Sequence, residues 1–456
     1  MSTQHAPTPP EPGPVRAFDF PIIHDDRLNS AGLRVLSAAQ GDLPLVTAHL
    51  VLDAGAAAES PELEGIARLT ADAMDAGTRD RNADELAWAL ERLGVELDTG
   101  TGWDAGHIAL TVPSDRLEPA LALFAEIVRR PAFPADQVDR LRDEQMAGIL
   151  QRRKEPRALG DDMAVRYIFA DGVPYGRPVI GREATVRGLT AENVADFYKA
   201  RYRPGSSAIV FTGDITAKRA ADLARTHFGD WETGSAPAAS LRVEPRVEAT
   251  TVFVVDRPGS VQSEIRIGDV GVERAHPDYF PLIVFNTILG GAFTSRLNMN
   301  LRERHGFTYG INSSFAFRRQ PGPFSVSAAV ATDVTARAVE EALSEMRCIH
   351  DVGVTAQELD AARDYLRGIL PLTLQTTGQL AGRIAEIAVF DLPLDYFEQY
   401  RQRVADVTAE NVGRVARDRL RLDRLAIVVV GDADQITGPL QDLGIGPVQV
   451  VDADAA

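Results

Sequence analysis

Two periodicities alternate along the chain. Between residues 82 and 94, NADELAWALERLG places Leu86, Leu90 and Leu93 on one helical face, opens with Asn82 and Glu85 in capping-box spacing, and stops at Gly94. HIALTVP (107–113) then switches to strict alternation, the pattern of a half-buried strand, and Ser114 is placed to cap a helix over DRLEPALALFAEIV. Further on, Thr355 and Glu358 form a second capping-box pattern ahead of LDAARDYLRGIL. Strand pairs followed by long helices, in place of strict strand and helix alternation, predict an α+β fold of layered antiparallel sheets and helices.

The pattern repeats. TAENVADFYKARYRPGSSAIVFTGD (190–214) aligns without a gap with TAENVGRVARDRLRLDRLAIVVVGD (408–432), and LVLDAG (50–55) matches RIGDVG (266–271) at nearly the same offset. Two homologous halves follow, spanning 17–231 and 247–440. Between them ETGSAPAASLRVEPR (232–246) has the composition of a linker. The Pro-rich segment 1–16 reads as a disordered leader and 441–456 as a tail.

Composition narrows the function classes. With 45% apolar and 25% charged residues the chain is an ordinary globular protein, and no apolar run approaches the roughly 18 to 20 residues of a membrane span. A net charge of −17 opposes binding to nucleic acid or anionic lipid. The single cysteine, Cys348, excludes an internal disulfide and a Cys-based zinc site. The N-terminus has neither a basic start nor an apolar core, so a cytoplasmic location is expected, or a periplasmic one if a leader has been removed.

Few motifs survive inspection. GTGWDA (100–105) fits Gly-x-Gly-x-x-Ala in form, but a dinucleotide fingerprint opens a helix and here a strand pattern follows. No phosphate-loop lysine and no Gly-x-Ser-x-Gly elbow occurs. The eight histidines are widely separated, so paired-His metal spacing is absent. GIARLTADAM (65–74) reads as a buried helix with Arg68 and Asp72 at i and i+4, a spacing that suits a surface ion pair.

Two stretches carry a resemblance. PYGRPVIGREATVRGLTAENVADFYKARYRPGSSAIVFTGD (174–214) and LGGAFTSRLNMNLRERHGFTYGINSSF (289–315) strongly resemble the pitrilysin/insulinase family of zinc peptidases, over about residues 20 to 435. The resemblance implies a clamshell of two α+β halves around a peptide-binding chamber. It also implies an inverted zinc motif, His-x-x-Glu-His, on the first long helix, where two His hold zinc and the Glu activates water. Here Arg68, Ala71 and Asp72 occupy those places, and the third ligand, a Glu in the family, falls on Gly148 or Ile149. This chain is therefore expected to bind no zinc itself. The family strand that pairs with extended substrate corresponds to ELDTGTGW, which has no zinc beside it here.

The second half keeps the family's other contribution. RERHGFTY supplies Arg302 and Tyr309 at the spacing of the pair that reaches substrate across the chamber. TSRLNMNLRERHG reads as a helix ended by Gly306 and FTYGINSSF as the following strand, so that one turn brings both side chains to one surface. Gly290 and Gly291 read as a tight turn ahead of that helix. The family reading is a substrate-binding, non-catalytic subunit of a heterodimeric zinc metallopeptidase, inactive alone. Its partner is a homologous chain carrying His-x-x-Glu-His and the zinc, and its substrates are peptides. The alternatives are a metal-free assembly subunit of a larger complex, as some relatives are, or a chamber that binds peptides without hydrolysis.

Overall fold

The computed structural model describes residues 18–28, 32–41, 43–238 and 241–453. The leader 1–16 lies outside them. The first half contributes β1 (His24–Arg27), β2 (Arg34–Ala39), β3 (Leu45–Leu52), β4 (Glu96–Thr101), β5 (Gly106–Pro113) and β6 (Ser207–Gly213). The second contributes β7 (Thr251–Asp256), β8 (Gln262–Val270), β9 (Ile311–Phe315), β10 (Pro323–Ala331), β11 (Ala426–Gly431) and β12 (Val448–Val451). The sheet orders are β1-β2-β6-β3-β5-β4 and β12-β7-β11-β8-β10-β9. Setting aside the added edge strands β1 and β12, the two orders are the same, so the internal repeat extends to topology. Pairing is antiparallel except at β2/β6, β7/β11 and β7/β12. β12 and the helix Ala433–Asp442 draw into the fold residues that the sequence pattern leaves to the tail.

Both capping boxes form as read, at Asn82/Glu85 and Thr355/Glu358. Ser114 does not cap. It opens a 3₁₀ turn, Ser114–Arg116, its N–H is taken by the carbonyl of Pro44, and the helix begins only at Leu117.

Each sheet buries one face under helices of its own half. Val46, Ala48, Leu50 and Ile108 meet Leu121 and Phe124 in the first, and Ile267 and Val326 meet Val339 and Met346 in the second. The other face is covered by the opposite half. Helix Pro156–Ile168, from the first half, lays Leu159, Met163 and Tyr167 on Phe253, Val255 and Val428. Helix Thr377–Val389, from the second, lays Leu380, Ala381 and Ile384 on Leu36, Val51 and Val210. This explains why β6 and β11 are buried along their whole length instead of alternating between buried and exposed positions.

Polar contacts fix the exchange. The hydroxyl of Thr377 lies 2.8 Å from that of Thr47, and Thr212 donates to the Thr377 carbonyl at 2.8 Å. Arg266, 3% exposed on β8, bonds Asp161 at 2.7 Å and the Arg157 carbonyl at 3.1 Å on the exchanged helix. The halves therefore close on each other as the interlocked lobes of an α+β clamshell. Among the described residues no helix is long and apolar enough to cross a membrane.

All three tryptophans lie in the first half, at positions 88, 103 and 231. Ile384→Ala, in the second half, is expected to cost about 2–5 kcal/mol. Because its neighbours are in the first sheet, the tryptophan fluorescence and far-UV circular dichroism midpoints in denaturant should fall together. A fluorescence midpoint left at the parent value would contradict the interlocking.

Candidate functional site

The helix Ile66–Asp72 is short and tightly set. Gly65 precedes it at φ +94, where a Cβ would meet Val186 Cγ2 at 2.8 Å and the Ile180 carbonyl at 2.9 Å, so backbone conformation and packing both demand glycine. Its first N–H groups are satisfied from a distance: Glu59 accepts from Gly65 at 3.1 Å and from Ala67 at 2.8 Å. Burial pushes the Glu59 carboxyl up to about 8, against the pull of those two donors and Arg177. Ile66 and Leu69 anchor the inner face.

On the outer face Arg68 Nε lies 2.6 Å from Asp72 Oδ2, the ion pair that the i, i+4 spacing suits. Both residues line a cleft of about 520 Å³ with Thr101, Trp103, Glu144, Gln145, Gly148, Arg152 and Asp162. The structure thus brings together Arg68, Asp72 and Gly148, three of the positions that the sequence resemblance sets against zinc ligands. Ala71 is buried just beneath them, and Ile149 points into the core.

The donor set does not fit zinc. Ala71 and Gly148 carry no ligand atom, Arg68 brings a positive charge, and the one carboxylate, Asp72, is bonded to Arg68. Burial raises the Asp72 carboxyl above its usual range, with Arg68 opposing. Asp162, held bidentately by Arg152 at 2.6 and 3.0 Å, is raised for the same reason. Among the described residues no three His, Cys, Asp or Glu are grouped to hold a metal.

Arg302 and Tyr309 lie on another segment. The sequence reads an ordinary helix there; the structure has a π-helix over Asn298–Arg304, closed by bonds from the Gly306 N–H to the Arg302 carbonyl and from Phe307 to Leu301. Gly306 has φ +65. The following strand starts at Ile311, later than its sequence suggests, because Thr308 and Gly310 bond each other while Asn298 Oδ1 takes the Ile311 N–H. Tyr309 consequently stands on a loop, 97% exposed. The Arg302 guanidinium lies 4.3 Å from the centre of the Phe293 ring, itself 65% exposed, and 3.7 Å from Glu303. No hydrogen bond joins Arg302 to Tyr309 among the described residues. Gly290 and Gly291 end a π-helical stretch, Thr287–Gly291, and a Cβ on Gly290 would strike the Ser313 N–H of β9 at 2.5 Å.

Sequence reasoning missed the link between the two places. The loop from β9 to β10 inserts Arg318 against the first half, 3.7 Å from the Trp103 ring and 4.5 Å from Tyr175. Burial lowers the Arg318 guanidinium to about 10. Arg319 beside it bonds Asp53, the Val389 carbonyl and, through its N–H, Asp104. Trp103, a wall of the cleft, is thereby held by the loop that follows the strand beginning near Tyr309. The pair of arginines in FAFRRQPG was the available signal. His49 and His107, far apart in sequence, stack at 5.6 Å across β3 and β5, with Asp98 3.0 Å from His107 Nε2.

Removing the Arg68 side chain is expected to cost less than about 1 kcal/mol, the scale of an exposed helical pair. Excess zinc should leave the melting temperature of the parent chain unchanged. Calorimetry of Arg68→Ala and of the parent with and without zinc checks both.

Comparison with known proteins agrees with this geometry. Residues 34–172 match the family model of insulinase (peptidase family M16), and residues 188–366 that of the peptidase M16 inactive domain. An uncharacterized zinc protease of Streptomyces coelicolor is 25% identical over 417 residues, which cover 90% of this chain and 88% of that one. A probable mitochondrial-processing peptidase subunit beta of Schizosaccharomyces pombe is 24% identical over 420 residues, 88% of this chain and 90% of that one. The solved structure of a peptidase M16 inactive domain from Pseudomonas fluorescens has a TM-score of 0.84 at 26% identity, covering 90% of this chain and 98% of its own. A protease structure from Helicobacter pylori, at 19% identity and with the same TM-score, shares the fold. By these matches the chain belongs to the insulinase family, peptidase family M16, as an inactive-type member.

Proposed function

We propose that this chain is the substrate-binding, non-catalytic subunit of a two-chain zinc peptidase, and that Arg302 and Tyr309 are its contribution to peptide hydrolysis. The observation that carries the reading is Tyr309, a large aromatic side chain 97% exposed on its own subunit. Phe293 and Met299 are also exposed on this segment, at 65% and 49%. Apolar groups gathered beside an arginine mark a surface meant for another molecule. The partner is a homologous chain bearing His-x-x-Glu-His, with the zinc in that chain. The relative from Schizosaccharomyces pombe, itself described as a subunit, supports the idea of a pair.

The chemistry follows from the two side chains. A peptide carbonyl under attack gathers negative charge on its oxygen, and a hydroxyl already aimed there stabilises that charge without reorganising. Tyr309 donates that hydrogen bond. Arg302 carries a fixed charge and a planar fork of donors, which suits it to a neighbouring substrate carbonyl. The stack on Phe293 limits where the guanidinium can go.

The test is co-purification from native cells with mass spectrometry, followed by peptide cleavage assays on the reconstituted pair. The single chain should show no chelator-sensitive peptidase activity. Tyr309→Phe in the pair should lower kcat by about 10²–10³-fold, with KM little changed. Arg302→Gln should chiefly raise KM. Chelator-sensitive activity in the single chain, or an unchanged kcat for Tyr309→Phe, would overturn the reading. Recovery within a large unrelated complex would favour the assembly role.

A further inference from the structure

The second half has a pocket of its own. It encloses about 240 Å³ between the π-helical stretch Thr287–Gly291, with the loop that follows it, and helix Ala356–Ile369. The cleft of the first half lies between the corresponding elements, helix Ile66–Asp72 and helix Ala135–Lys154. In each half the second element is the helix directly after the one that lays Leu121 and Phe124, or Val339 and Met346, on the sheet. The two cavities are therefore counterparts in the repeat, and they differ in chemistry.

Charged Asp72, Glu144 and Asp162 line the cleft, whereas Ile288, Ala292, Ala361 and Ala362 wall the pocket. The pocket's one charged residue, Glu358, is already satisfied: its two oxygens accept from Arg296 at 2.6 and 2.8 Å, and one of them also from the Thr355 N–H. Arg296 donates as well to the Gly353 carbonyl at 2.9 Å, so loop and helix are pinned together and the width of the pocket is set in advance. The hydroxyl of Thr287 is spent on the Ile283 carbonyl at 2.8 Å. At this volume the pocket falls below the roughly 300–1,000 Å³ of sites for whole small molecules. A single apolar side chain suits it better.

The loop is also a wall of the candidate site. Ala292, Thr294 and Ser295 line the pocket, and Phe293 between them carries the Arg302 guanidinium at 4.3 Å. A peptide whose carbonyl lies at Arg302 has only to cross this loop to set a neighbouring side chain in the pocket.

We propose that this pocket selects the substrate: it takes one bulky apolar side chain, of leucine or phenylalanine type, from the peptide that Arg302 and Tyr309 hold. The proposal rests on the reading of Arg302 and Tyr309 as the working pair and adds the class of peptide. An acidic residue at that place would give up its water against apolar walls and meet Glu358, and alanine would leave volume unfilled.

The first test uses the full chain alone, with N-acetyl-L-leucinamide as the probe and the methyl NMR signals of Ile288, Ala292 and Ala361 as the readout. These signals should shift saturably with the probe and stay in place with the corresponding aspartate derivative. Ala361 is exposed at the mouth, so Ala361→Trp fills the pocket from outside the core and should abolish the shifts of Ile288 and Ala292. The second test uses the reconstituted pair and peptides that differ only by leucine or alanine at each position flanking the scissile bond. One position should favour leucine by at least about tenfold in kcat/KM, and Ala361→Trp should remove that preference. The probe titration of the parent chain carries the test if Ala361→Trp folds poorly. Unmoved signals, equal shifts with the aspartate derivative, absence of a leucine preference, or a preference that survives Ala361→Trp would overturn the proposal. Failure of the functional reading shows itself separately, as unchanged turnover by Tyr309→Phe in the reconstituted pair.

Discussion

Each six-stranded sheet in this protein has a second apolar face that its own half does not cover, and the rest of the structure depends on how that face is buried. Helix Pro156–Ile168 and helix Thr377–Val389 exchange places, each leaving its own half to cover the other's sheet. The hydrophobic effect makes this obligatory: Val210 and Val428 would otherwise face water on strands that are buried from end to end. A repeat that began as two similar units has become one cooperative body, since neither half completes its core alone.

The interlock also sets what each half presents. In the first half the helix Ile66–Asp72 stays in place because Gly65, Glu59 and the buried Ile66 and Leu69 hold it, and none of these depends on a metal. Arg68 and Asp72 pair with each other on the wall of the cleft. In the second half the π-helix over Asn298–Arg304 makes room for buried Asn298 and Asn300, whose amides fix the start of β9 and the helix beneath. The outer surface of that segment is left to Phe293, Arg302 and Tyr309.

The β9–β10 hairpin joins the two regions. It starts beside Tyr309 and ends by pressing Arg318 on Trp103, with Arg319 reaching Asp53 and Asp104. Arg318 is buried against aromatic faces, where it donates to the Tyr175 carbonyl at 3.4 Å and feels the charge of Asp104 nearby. It fixes the orientation of the hairpin relative to the first sheet, and with it the base of the Tyr309 loop.

The sequence by itself determined the repeat, the α+β class, the two capping boxes and the family, because all of these are local or periodic. Capping needs residues three apart, amphipathic faces need a fixed period, and the expectation that this chain holds no zinc rests on residue identity at Arg68, Ala71, Asp72 and Gly148. Arg302 and Tyr309 are proposed on the same kind of signal, a spacing. Tertiary structure alone decided which half covers which sheet, since an apolar helix face carries no address. It also decided that Ser114 gives its N–H to Pro44 instead of capping, that Val448–Val451 becomes an edge strand, and that Tyr309 stands on a loop. The first two turn on partners far away in the chain, Pro44 and β7, and the last on the side chain of Asn298 together with bonds inside the loop. The grip of Arg296 on Glu358, and of Arg318 on Trp103, belongs to the same class, because a contact across dozens or hundreds of residues leaves no period to read.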